Sequence, residues 1–376
     1  MKQLATISLH RKIRFGVDRG GAAGRAFTIV ELLVAMTILA AMMILLVKVI
    51  GATQRIYTSS QSKVEQFREA RVAFEAVTRR LSQATLNTYW DYNDPNNPTR
   101  YMRQSELHFI AGPASTLLKE TGVQPTITHA VFFQAPLGVA DAAAYQSMPS
   151  ALNAWGYFLT CDSDLDLATR PAFLSTRIPA RTRCRLMEFR QPTERMSVYC
   201  PPNNAPSGFK GLTSASFGDV TAWFNTPAIV KDTSVSPTRI VSRSVAENII
   251  ALIVSPRSPV PPKSPTGNDY DIAPNYYYDS RLYLTDSNNK LAGPTQHQLP
   301  PTVQVTMVAL DERSASQYET PSQSTGALVD QRWFQNVVSY DADLGELTSL
   351  LTSKRLNYEV FSTAVPIRAA KWSTVP

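Results

Sequence analysis

The stretch "FTIVELLVAMTILAAMMILLV" (Phe27–Val47) decides how this chain reads. It is 21 residues long and holds one charge, Glu31, in its fifth position. As a helix rising about 1.5 Å per residue it covers roughly 30 Å, the thickness of a bilayer core. A cleaved secretory signal has an apolar region of only about 7–15 residues followed by a small-residue cut site. This run is longer, and no A-x-A pattern follows promptly. A carboxylate inside a span costs on the order of 3 kcal/mol on insertion scales. Glu31 therefore needs a partner or a route to the headgroups.

Outward toward the N-terminus the chain is basic. Residues 1–26 carry Lys2, Arg11, Lys12, Arg14, Arg19 and Arg25 against Asp18 alone. The formal charge of the 376-residue chain is +7. Removing those six basic and one acidic side chains leaves 31 basic against 29 acidic, so the basicity belongs to this tail. A basic block beside an apolar span is a cytoplasmic flank under the positive-inside rule. Nucleic-acid binding would need a basic stripe on the remaining body, and none is expected.

Outward in the other direction the chain turns polar after Lys48 with no proline before Pro95. Phe67, Ala70, Phe74, Val77, Leu81 and Ala84 recur at three- and four-residue spacing, with Arg68, Glu69, Arg71, Glu75, Arg79 and Arg80 on the other sides. That is one apolar stripe on a helix. The reading is one long helix from about Phe27 to Tyr89, a transmembrane half over 27–50 and an amphipathic half over 51–90, ended by the turn residues "DYNDPNNP".

Beyond residue 91 short β-branched and aromatic runs alternate with turn signals. "ELHFIAG", "HAVFFQAP", "GYFLTC", "RLMEFRQ", "MSVYC", "RLYLT", "PTVQVTMVAL" and "NYEVFSTAV" read as strands, and "SVAENIIALIVSPR" as a short helix entering a strand. A proline-rich loop covers 255–271. The expected fold is α+β, with the helix packed on a mainly antiparallel sheet head over 91–376.

Phe27-Thr28-Ile29-Val30-Glu31-Leu32-Leu33-Val34 resembles the start of type IV pilins and type II secretion pseudopilins: a basic leader, a small residue, Phe, three residues, Glu, then an apolar helix. "LPPTVQVTMVALDE" (Leu299–Glu312) and "VAENIIALIV" (Val245–Val254) are similar to segments of the minor members, the J-type pseudopilins and W-type minor pilins. "NYEVFSTAVPIRAAKWS" resembles the Verru_Chthon cassette protein C group. The resemblance implies cleavage of the leader, residues 1–26, between Ala26 and Phe27 by a prepilin peptidase, and N-methylation of Phe27 by the same enzyme. It implies an inner-membrane, single-pass chain with a cytoplasmic leader and a periplasmic C-terminal head. Its partners would be other pilin-like subunits, met through the apolar helix, and its place that of a minor or tip subunit. The family has Gly before the cut where this chain has Ala26. In the family the glutamate at the position of Glu31 pairs with a neighbour's amine and sets register. Two other readings stay open at Glu31: pairing with the amine of its own Phe27, and snorkelling in a plain anchor. The alternative function is a signal-anchored extracytoplasmic binding protein that does not polymerise.

The sequence contains no H-E-x-x-H, G-x-S-x-G or G-x-x-x-x-G-K-[ST] motif of an enzyme. His10, His108, His129 and His297 lie far apart in sequence. No catalytic residue, metal ligand or cofactor is expected. Asp162, Asp164 and Asp166 alternate as in a calcium loop, but Leu167 stands where its glycine belongs and Phe173 where its closing glutamate belongs, so a solvated acidic loop is expected. Without a C-x-x-C there is no zinc signature among Cys161, Cys184 and Cys200, and their pairing stays open. The tyrosines of "DYDIAPNYYYDS" (Asp269–Ser280) read as an edge strand, with a contact surface as the alternative.

Overall fold

The computed structural model describes residues 28–92, 96–99, 101–118, 128–163, 182–196, 198, 223–224, 231–232, 239–258, 272–281, 297–318 and 328–372. The chain divides into two compact units, residues 1–61 and 62–376.

The first unit holds most of helix α1 (Ile29–Gln66). Its segment Ile29–Gly51 is long and apolar enough to cross a membrane, and none of it is buried in the chain. The one polar residue between Glu31 and Lys48 is Thr37. Its hydroxyl donates to the Val34 carbonyl at 2.8 Å, so no hydrogen-bonding group is left for lipid to meet.

Helix α2 (Arg68–Leu81) belongs to the second unit and lays its stripe on the sheets. Ala70, Ala73, Val77 and Leu81 are buried, and Ala84 continues the line beyond the helix. Phe67 and Phe74 pack half-buried at its rim. The expected single helix from Phe27 to Tyr89 is therefore interrupted at Phe67, which has φ −95° and ψ 4°. It also stops at Leu81, eight residues early. Past it the Thr85 N–H donates to the Gln134 carbonyl (2.9 Å) instead of to a helical partner, and the Asn87 side-chain oxygen accepts the Leu107 N–H (3.1 Å) and the Ser105 hydroxyl (2.9 Å). The aromatic run Tyr89–Tyr92 then forms strand β1, paired antiparallel with β2 (Tyr101–Gln104).

The remaining strands are β3 (Ile110–Pro113), β4 (His129–Pro136), β5 (Leu152–Ser163), β6 (Thr182–Gln191), β7 (Lys231–Asp232), β8 (Arg239–Ile240), β9 (Ser242–Glu247), β10 (Ile249–Arg257), β11 (Tyr278–Asp279), β12 (Thr302–Leu310) and β13 (Tyr358–Pro366). Helices α3 (Ala114–Leu117), α4 (Glu312–Ala315) and α5 (Tyr340–Ser353) intervene. A six-stranded sheet runs β11-β3-β4-β5-β6-β9 and a three-stranded sheet β10-β12-β13, antiparallel throughout; β7 and β8 pair separately. The fold is α+β.

Alternation along β4 sorts the core. Val131, Phe133 and Ala135 face the layer shared with α2, β10 and β12. Ala130 and Phe132 face a second cluster holding Trp223 and Phe224, where Phe132 and Phe224 stack at 4.2 Å. Gly156, opposite Phe132 in the ladder, leaves the space its ring occupies; a Cβ there would collide with that ring. A third cluster lies between the three-stranded sheet and α5, through Leu347 and Leu351.

"SVAENIIALIVSPR" is two strands rather than a helix and a strand. Asn248, at φ 60°, turns the chain from β9 in one sheet to β10 in the other. Asparagine tolerates this left-handed conformation better than most residues. Along β10, Leu252 and Val254 face the α2 layer and Ile253 the α5 cluster, an alternation that follows a register shift between Ile249 and Ala251. Of "MSVYC", only Met196 and Val198 are described, and they follow a short 3₁₀ turn, Thr193–Arg195. Only Arg281 of "RLYLT" is described, as a turn. Ser255–Arg257 of the expected proline-rich loop belong to β10, and 259–271 lie outside the described residues.

Candidate functional site

The candidate site is the start of α1. Ala26 and Phe27 lie outside the described residues, and Glu31 stands in the first helical turn. The Thr28 N–H and hydroxyl both donate to Glu31 Oε2 at 3.3 Å, and the Glu31 N–H donates to Thr28 Oγ1 at 3.2 Å. The Leu32 N–H closes the first turn on the Thr28 carbonyl at 3.2 Å. This is a reciprocal capping box: residue and side chain each satisfy the other's orphan amide. The motif T-x-x-E is visible in the sequence, but only the geometry shows that Thr28 belongs to the site as the local partner of Glu31.

The cap changes the energetics of that charge. An N-terminal cap contributes about 1 kcal/mol, and a carboxylate in the first turn gains roughly 0.3–1 kcal/mol from the helix dipole. Together they offset part, but not all, of the order of 3 kcal/mol that a carboxylate costs within a span. A positive group near Thr28 would close the difference.

The second unit holds buried polar clusters among its described residues. His108 Nε2 lies 2.7 Å from Asp279 Oδ1, and both side chains are fully buried. Trp223 donates its indole N–H to His108 Nδ1 at 2.9 Å. That assignment puts the imidazole proton on Nε2, donated to Asp279, and leaves no ring nitrogen for a substrate. Burial alone would raise the Asp279 carboxyl. The His108 hydrogen bond and the Arg281 N–H (2.8 Å) instead hold it below the usual range. The trio joins β11 and the residues just before β3 to Trp223.

His129 is likewise structural. Its Nε2 donates to the Phe334 carbonyl (3.0 Å), its Nδ1 accepts the Val254 N–H (3.1 Å), and burial pulls its pKa down to about 4. The third described histidine, His297, is held near 4 by burial and the positive charge of Arg281. Tyr276 and Tyr278 are buried and Tyr277 is half-buried; Tyr278 lies in β11, the edge strand of its sheet, and Tyr270 lies outside the described residues.

A third cluster docks α2. Arg80 donates to Tyr157 (2.9 Å) and to Glu188, with its guanidinium 4.7 Å above the Trp155 ring. Tyr157 also receives the Trp155 indole N–H at 3.0 Å, and burial pushes its phenol up. Cys161 and Cys184 are directly opposed in the β5–β6 ladder and form a disulfide. Cys200, Asp164 and Asp166 lie outside the described residues; Asp162 is in β5, opposite Arg183. Among the described residues no group of His, Cys, Asp and Glu has the arrangement of a metal site.

No known family, curated protein or solved structure matches this chain.

Proposed function

We propose that this chain is a structural subunit, of the minor or tip kind, of a type IV pilus-like or type II secretion pseudopilus filament. A prepilin peptidase cuts between Ala26 and Phe27 and methylates the new Phe27 amine. The chain is inserted once in the inner membrane, with residues 1–26 cytoplasmic and the β-rich body periplasmic. The apolar helix then packs against those of neighbouring subunits.

The observation that carries this reading is the unburied apolar segment Ile29–Gly51, whose single acid is held in its first turn by Thr28. Cleavage would create a positive amine one residue before that cap, where the remaining cost of Glu31 is to be offset. In an assembled filament the amine of a neighbour can serve, which ties a costly charge to axial register. The Cys161–Cys184 disulfide supports a body on the oxidising side of the membrane. The basic tail supports the opposite side for residues 1–26.

The test is Glu31→Ala. Membrane insertion and cleavage should persist, while incorporation into sheared filaments alongside a wild-type copy should fall. Normal incorporation would remove the register role.

A further inference from the structure

Strand β13 (Tyr358–Pro366) pairs with β12 over nine consecutive positions, Tyr358 with Leu310 through Pro366 with Thr302, without a bulge. It is the last strand of its sheet, and no strand among the described residues pairs with its other edge. Its opposite number at the far side, β10, is buried along nearly its whole length. In an antiparallel strand every second residue turns its N–H and C=O away from the neighbour, so β13 presents about four such residues outward. Glu359, Ser362, Thr363, Ala364 and Pro366 are exposed.

Natural edges are usually defended by lysines, bulges, inward charges or short length. β13 is long and regular, and its one charge is Glu359. It is also held firmly in place. Phe361 packs on Phe74 of α2 at 5.7 Å on one face, and Tyr358 and Val360 join the α5 cluster on the other. The Ser362 hydroxyl is tied to Thr306 at 2.8 Å. A row of ordered main-chain donors and acceptors with no strand partner among the described residues selects one kind of occupant, another extended strand.

We infer that β13 is a self-pairing edge: two copies of this chain join β13 to β13 antiparallel, about a two-fold axis at Ser362, into one continuous sheet. The sequence is compatible with its own reverse in this register. Ser362 opposes Ser362, Phe361 opposes Thr363, Val360 opposes Ala364 and Glu359 opposes Val365. The central side chains are small, and the aromatic–β-branched pairing is a favourable one. The two Glu359 carboxylates stand six positions apart, about 20 Å at roughly 3.4 Å per residue, so no like charges meet. An in-register parallel pairing would bring the two glutamates together. Symmetric two-fold contacts are the commonest form of self-association. A single strand pair buries less than a standard interface of roughly 1,200–2,000 Å². The contact is accordingly weak in dilute solution and gains from the high local concentration of membrane-anchored chains. This inference does not depend on the pilin-like reading.

The test uses purified full-length protein in detergent and in reconstituted liposomes, with Cys200→Ser to remove the third thiol. Ser362→Cys should shift from monomer to covalent dimer on mild oxidation, since opposed strand positions lie within disulfide reach. Glu359→Cys should remain monomeric. Adding Thr363→Lys to Ser362→Cys should abolish the dimer, while near-ultraviolet circular dichroism shows the body still folded. A monomeric Ser362→Cys, or equal cross-linking at residues 359 and 362, overturns the inference.

Discussion

Replacing both Cys161 and Cys184 with alanine removes the covalent tie between β5 and β6. The two residues are separated by 23 positions, and closing a loop of that length removes about 3 kcal/mol of unfolded-state entropy at 25 °C. Both positions are almost fully buried, so alanine avoids leaving an unsatisfied hydroxyl inside. The loss is local as well as global. The disulfide sits near the end of a ten-pair ladder, with only Asp162–Arg183 and Ser163–Thr182 beyond it. Those last pairs should exchange their amide hydrogens at the rate of a frayed end, while Ala154–Gln191 stays protected. The assay is urea unfolding of oxidised, reduced and double-alanine protein, followed by tryptophan fluorescence. Reduced and double-alanine protein should coincide, each less stable by about 3 kcal/mol with a similar urea slope. A loss below about 1 kcal/mol would refute the loop-entropy reasoning and show that the ladder alone holds these strands.

Two further outcomes follow, one from the burial of His129 and one from the cap of α1. His129 has a folded pKa near 4 against about 6.5 unfolded, so the unfolded chain binds more protons between these values. Its contribution is complete above pH 6.5 and is lost as pH falls toward 4, at most about 3 kcal/mol; an unchanged urea midpoint between pH 7 and pH 4.5 contradicts this. Thr28→Ala breaks the capping box and should cost about 1 kcal/mol at the start of α1. Faster amide exchange confined to Ile29–Leu32 in micelles is expected, and unchanged exchange there would mean that the cap is dispensable.

The sequence was most legible where period alone carries the information. The stripe Ala70–Val77–Leu81 lies on the core as its spacing requires, "HAVFFQAP" is β4, and "PTVQVTMVAL" is β12 with Pro301 before it. It was least legible where one residue redirects the chain. Asn248 turns an apolar run into a two-sheet corner, and nothing in the period of that run separates a helix from two strands. Helix α5 carries a weak signal because Gly345 and its Ser and Thr residues lower local propensity, although Leu344, Leu347 and Leu351 keep helical spacing. Ala26 and Phe27 were named from resemblance. Thr28 needed geometry, since a threonine beside an apolar run reads as a tolerated polar residue until its hydroxyl is seen bonded to Glu31. The Arg80–Tyr157–Glu188 dock had no signal at all, because its members are 77 and 108 positions from Arg80.

The most direct measurement is the N-terminal mass after co-expression with a prepilin peptidase. A chain beginning at N-methyl-Phe27 is expected, with residues 1–26 gone and Glu31 at the fifth position of the mature chain. A chain still beginning at Met1, under conditions that fully process a control prepilin, would contradict the pilin-like reading.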